Sequence, residues 1–170
     1  MMSRGSKFFR CSAILPGRIA EIFAGNYNRR LNTPPTITTA LEALQAGTAT
    51  ARELAEACFG HIKRLNPKLN AFITVLDVES TIQAQPPAAI QPLSSLRGIP
   101  IALKDLFDTA GIPTTAGSRF FADHIPETDA FVVEKIKQAG AILMGKTNTH
   151  EIALGVTGNN PHYGTARNPW

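Results

Sequence analysis

Eight residues, GAILMGKT from Gly140 to Thr147, match the spacing G-x-x-x-x-G-K-[ST] letter for letter. In a phosphate-binding loop that spacing follows a strand, opens a helix and turns backbone N–H groups toward an anion. Here the neighbours come in the wrong order. AFVVEKIKQA, with helical character, precedes Gly140, and Ala, Ile, Leu and Met fill the interval between the glycines. Large apolar side chains gain about 1.5–3 kcal/mol each on burial, so the interval is expected as a strand inside a sheet and no nucleotide is expected to bind. THEIAL (Thr149–Leu154) opens like a zinc-binding His-Glu-x-x-His helix, but Leu154 stands where the second histidine would. His124 and His162 bring no ligand cluster with them, so no metal site is expected.

The elements that must position any chemistry follow from caps and periodicity. NTPPT (Asn32–Thr36) reads as a linker, because its two prolines deny the backbone helix and ladder bonds. Thr39 with Glu42 fits a capping box, opening a short helix that turns Leu41 and Leu44 inward and stops at Gly47. Thr50 with Glu53 repeats the device. There Leu54, Cys58, Ile62 and Leu65 recur at helical spacing until Asn66-Pro67 ends the run. Cys58 on that stripe reads as core, and His61 beside it as packing or surface. AFITVL (Ala71–Leu76) and GIPIAL (Gly98–Leu103) read as strands, with 77–95 as a surface connection. Thr128 or Asp129 caps a helix through Ala139, with Lys135 and Lys137 near its negative end and Gly140 as its stop. AILM (Ala141–Met144) then follows as a strand covered on both faces. Strands separated by helices describe an α/β domain with a partly parallel sheet.

Charge is unevenly spread. Residues 1–34 hold six basic side chains against Glu21 alone, a surplus of +5, while the rest holds 11 basic and 12 acidic side chains, or −1. The body is thus neutral, which argues against direct nucleic-acid binding, since that needs a basic face on the folded part. Residues 1–35 are expected to form a poorly ordered basic leader, an organelle-targeting segment being the alternative. Cys11 and Cys58 are too few for a disulfide framework and point to a reducing, cytoplasmic setting. No apolar run approaches the roughly 20 residues of a membrane span.

Two long stretches carry more information than any short pattern. LRGIPIALKDLFDTAGIPTTAGS (Leu96–Ser118) and AGAILMGKTNTHEIALGVTGNNPHYGTARNPW (Ala139–Trp170) resemble, in order and separation, the motifs of the amidase signature family. That family includes amide hydrolases and the glutaminase-type subunit of the tRNA-dependent amidotransferase. NPKLNAFITV (Asn66–Val75) and the helices before it resemble the family's amino-terminal region, so the likeness covers roughly 36–170.

The resemblance implies the amino-terminal part of a large α/β domain with helices around a mixed sheet. It also implies hydrolysis of carbon–nitrogen bonds by a Ser–cis-Ser–Lys triad that requires no cofactor. The motif position of the triad lysine is Lys104. Both serines belong to a Gly-Ser-rich stretch expected beyond Trp170, and Ser94, Ser95 and Ser118 do not replace them. The 170 residues are therefore expected to be inactive alone; the alternative is a non-catalytic amidase-derived fragment or binding partner. A small-molecule amide is the implied substrate of the complete enzyme, and amidotransferase subunits are the implied partners. Lys146, Asn148 and Glu151 read as hydrogen-bonding scaffold, and Gly155, Gly158 and Gly164 as turn residues.

On spacing alone Lys104 reads as a surface lysine beside Asp105. Alternation sets Ile99, Ile101 and Leu103 on one side of the strand and Pro100, Ala102 and Lys104 on the other. A general base must be unprotonated, so a triad lysine is expected to sit where the sheet strips water from it. Its pKa would then fall from about 10.4 toward 7–8.

Overall fold

The strand Ile142–Thr147, β3, is the central strand of the sheet among the described residues. The computed structural model describes residues 36–83 and 96–170; the expected leader and the rest of the 77–95 connection lie outside the described residues. In chain order the elements are α1 (Ile37–Gln45), α2 (Ala51–Leu69), β1 (Phe72–Val75), α3 (Val78–Gln83), β2 (Pro100–Lys104), α4 (Phe131–Gln138) and β3. Short 3₁₀ turns occupy Arg119–Phe121 and Glu151–Ala153. Among the described residues the sheet runs β1-β3-β2, with β1 antiparallel and β2 parallel to β3.

An apolar run without polar interruption suits a strand buried on both faces, and β3 is that strand. Ile142 and Met144 pack with Ala55, Cys58, Phe59 and Ile62 of α2 on one face. Leu143 packs with Leu103 of β2 and with Val133 and Ile136 of α4 on the other. Helices thus cover both faces of a mixed sheet. Cys58 is half-buried in this core, and burial pushes its thiol pKa up, away from nucleophilic use.

The Thr50–Glu53 capping box forms as the sequence suggests, with the Thr50 side chain accepting from Glu53 N–H and the Glu53 carboxylate from Thr50 N–H. Other boundaries differ. α1 begins one turn earlier, capped by Thr36, whose hydroxyl accepts from Thr39 N–H at 3.2 Å. Thr36 is the first residue free of the two prolines, and nothing delays the helix further. α2 runs through Pro67 to Leu69. That proline forfeits one bond at an exposed position, where water can satisfy the freed carbonyl. Asn70, left-handed at φ 51°, closes the helix instead. α3 was not expected; Asp77 starts it by accepting from Ser80 N–H at 2.8 Å. Asp129 does not cap α4, whose N-cap is Ala130. Its carboxylate is already taken by Ala110 N–H and the Lys137 amine.

One irregularity decides where a charge goes. Along the β2–β3 ladder Ile101 faces Leu143, but Ala102 faces Gly145, so Met144 is an extra residue. A bulge of this kind shifts every following side chain to the other face. Lys146, which strict alternation would send toward α2 with Ile142 and Met144, instead lies level with Leu103. Gly145 makes the bulge at φ +149°, and a Cβ there would collide with the Thr74 carbonyl oxygen of β1. Gly145→Ala is therefore expected to cost at least about 2 kcal/mol of stability from strain and overpacking, read as a lower urea midpoint by circular dichroism.

Candidate active site

Parallel β2 and β3 end side by side, with Lys104 opposite Thr147. The loops that follow their carboxyl ends, 105–118 and 148–165, fold against each other. In open α/β sheets ligands bind beyond the carboxyl ends of the strands. Lys104 stands at the end of β2 with an exposed side chain, whereas Leu103 and Asp105 on either side of it are buried. The alternation expected for β2 holds, but the water-stripped environment expected for Lys104 does not. Among the described residues no layer covers that side of the strand end, so the amine remains solvated.

The dehydrated lysine is Lys146, with 1% of its surface exposed. Its amine donates to the Phe107 carbonyl at 2.7 Å and to the Thr114 hydroxyl at 2.6 Å. Asp105 Oδ1 lies 3.6 Å away, and neither member of the pair meets solvent. Burial pulls the Lys146 pKa below the usual lysine range, and the Asp105 charge partly offsets this. The other Asp105 oxygen, Oδ2, accepts from Thr115 N–H at 3.0 Å and from the Thr115 hydroxyl. Those donors lie in a loop where Ala116 and Gly117 both take left-handed backbone, so the loop curls around the carboxylate.

A second clasp joins the two loops. Asn160, 2% exposed, donates to the Gly117 and Thr149 carbonyls at 2.7 and 2.8 Å and accepts from His162 and Tyr163 N–H. Nearby, Glu151 accepts from the Ser118 hydroxyl at 2.7 Å and pairs with His162 Nε2 at 2.8 Å. Those two partners hold its carboxyl below the ordinary glutamate range. Ser, Glu and His meet here, yet the serine donates to the carboxylate and also receives Phe120 N–H, which makes it a cap and not a nucleophile. Asn148 spans 70 and 164, donating to both carbonyls. The Glu151–Ala153 segment is a 3₁₀ turn with Ile152 at φ 49°, so the His150-Glu151 pair begins no zinc-binding helix. Among the described residues no group of three or more His, Cys, Asp or Glu could hold a metal ion.

The profile of the family described as Amidase matches residues 53–170. The chain belongs to the amidase family. Among this amidase chain's curated relatives, the A-type component of glutamyl-tRNA(Gln) amidotransferase from Chromohalobacter salexigens is 40% identical over 141 residues. That match covers 79% of this chain and 28% of the relative. The protein of the same name from Azoarcus sp. is 44% identical over 132 residues, 75% of this chain and 27% of its own length. Of solved structures, 6-aminohexanoate cyclic dimer hydrolase superposes with a TM-score of 0.71 at 29% identity, over 80% of this chain and 28% of that one. The A-type amidotransferase component from Thermotoga maritima gives 0.58 at 33% identity, over 71% and 25%. The chain thus spans less than a third of the length of the relatives it matches. Among the described residues no helix is long and apolar enough to cross a membrane.

Of the residues singled out in sequence, Lys104, Lys146, Asn148, Glu151 and Ser118 gather at this end of the sheet, while Ser94 and Ser95 lie outside the described residues. His61 bonds Arg64 on the surface, while His124, 3.4 Å from Asp108, accepts from Thr114 N–H through its carbonyl and so borders the Lys146 network. Sequence reasoning missed Asp105, Thr114, Thr115 and Asn160, all buried polar residues whose partners are far along the chain.

The two lysines should respond oppositely to truncation. Lys146→Met leaves Asp105 buried and uncompensated, an expected loss of about 3–5 kcal/mol, whereas Lys104→Met on the surface should stay within about 0.5 kcal/mol. Chemical denaturation of both variants checks the contrast. Glu151 gives a pH dependence. Its folded pKa is depressed, so its contribution is complete above the unfolded value and vanishes as pH falls through the folded one. Stability of Glu151→Gln followed down the acid limb should fall less steeply than that of the parent chain.

Proposed function

We propose that Lys104 is the general base of an amide hydrolase whose nucleophilic serine and relay serine come from the part of the family fold that this chain does not span. The reading is supported by membership of the amidase family and by the place of Lys104 in the PIALKD motif. The observation that carries it is positional. Lys104 sits at the carboxyl end of the parallel pair with its side chain exposed.

In the complete enzyme the neutral amine takes a proton, through the relay hydroxyl, as the serine oxygen bonds the amide carbonyl carbon. Collapse of the tetrahedral intermediate breaks the carbon–nitrogen bond, returning the proton to the leaving ammonia or amine. Water then attacks the ester under the same base, releasing the carboxylic acid. The cover that dries Lys104 enough to stay neutral comes from the remainder of the fold, which also supplies the oxyanion donors. Glutamine is the first substrate to assay, because the curated relatives are amidotransferase components; amidotransferase subunits are the partners this reading suggests.

The second reading is a non-catalytic amidase-derived piece or binding partner. Its support is the exposure of Phe120, Phe131, Leu154, Val156 and Trp170, large apolar side chains of the kind that mark docking surfaces. Ammonia release decides between the readings. The isolated 170 residues should release none from glutamine or simple primary amides. Joined with the serine-bearing remainder of the fold, they should turn over and lose at least about a hundredfold with Lys104→Met, the scale of general-base catalysis. Hydrolysis by the isolated chain that Lys104→Met abolishes would place the nucleophile within it and refute the proposal.

A further inference from the structure

Resting on the assignment of Lys104 above, we propose that the buried Lys146–Asp105 pair sets the position of the Lys104 amine, making Asp105 and Lys146 positioning residues for the base. Neighbours in extended backbone point to opposite sides. Asp105 follows Lys104 directly and continues the ladder, its N–H donating to the Thr147 carbonyl at 3.1 Å. Whatever draws the Asp105 carboxylate inward therefore turns Lys104 outward.

Lys146 is what draws it. The amine lies 3.6 Å from Asp105 Oδ1, and that oxygen has no hydrogen-bond donor of its own among the described residues, so the lysine is its compensation. The same amine reaches the Phe107 carbonyl, two residues further on. Between those two grips the chain makes a tight turn, in which Leu106 and Phe107 N–H both donate to the Lys104 carbonyl at 2.7 and 3.1 Å. One ammonium group thus holds both flanks of the turn that begins at Lys104. The Thr114 hydroxyl, also bonded to Lys146, ties the turn to the 114–117 loop around Asp105. A slip of one residue would bury Lys104 where Asp105 belongs and leave Lys146 facing another cation. The pair excludes that register.

The test reads Lys104 directly in the 170-residue chain. With lysine side chains labelled with ¹³C and ¹⁵N, the Lys104 signal is assigned through Lys104→Arg. Asp105→Asn keeps the side-chain shape and an acceptor for Thr115 but removes the charge. It should shift or broaden the Lys104 side-chain signal by several line widths while the exposed Lys63 and Lys68 signals stay in place. The double variant Asp105→Asn/Lys146→Met, which leaves no lone buried charge, should show the same displacement. If either charge-changing variant fails to fold, Thr114→Val, which removes one acceptor of Lys146 and retains every charge, is read in the same way. A Lys104 signal that superposes on the parent's in any folded variant overturns the positioning role, since a merely structural pair would change stability and leave Lys104 alone. That failure is separable from failure of the functional reading. A still Lys104 signal beside an inactive Lys104→Met enzyme sinks the positioning role only. Full activity of Lys104→Met in the serine-bearing enzyme sinks both.

Discussion

A cation taken out of water must be surrounded, and the placement of Lys146 among three oxygens is the constraint on which the site depends. The amine meets the Phe107 carbonyl, the Thr114 hydroxyl and the Asp105 carboxylate, each from a different point on the 105–114 stretch. Desolvating both members of an ion pair costs several kcal/mol per ion, and their attraction often does no more than offset it. The pair is therefore poor evidence of extra stability. Its consequence is uniqueness: a register that moved any of the three oxygens away would leave a bare charge in the interior. The strand end, the turn after Lys104 and the loop at Thr114–Gly117 are fixed together because one group cannot tolerate their separation.

Much of this architecture could be read in the amino acids. The uninterrupted AILM run gave β3, and the absence of any polar residue in it gave its central place. Thr50 and Glu53 marked the start of α2 because a hydroxyl and a carboxylate three residues apart can satisfy each other's backbone. The rejection of a phosphate loop rested on element order, and the structure has helix α4, then Gly140 at φ +81°, then strand. The two long motifs gave the family, where the eight-letter pattern alone pointed to another chemistry.

What stayed hidden was hidden for physical reasons. A glycine inside a strand signals a bulge only weakly, and without the bulge at Met144–Gly145 Lys146 would face α2 and never meet Asp105. Asp105, Thr114, Thr115 and Asn160 are polar residues that look like surface until their partners are known, and those partners include residues ten or more positions away along the chain. The burial expected for Lys104 was an inference from chemistry, since a base needs a dry site. Backbone alternation placed the side chain correctly, but covering it requires another layer, and no local pattern reveals that. α3 was missed because a six-residue helix begun by Asp77 leaves too short a period to stand out beside the prolines that follow.

The strand order β1-β3-β2 has a consequence for synthesis. Of the described strands, β1 and β2 leave the ribosome first, yet they are not neighbours and cannot zip together; both wait for β3, which arrives some forty residues after β2. Until then their ladder groups are unpaired and their apolar faces uncovered, the state in which nascent chains are most prone to stick to others. The sheet can close only once Lys146 has been translated, so the ribosome has passed nearly the whole of this segment before its core exists.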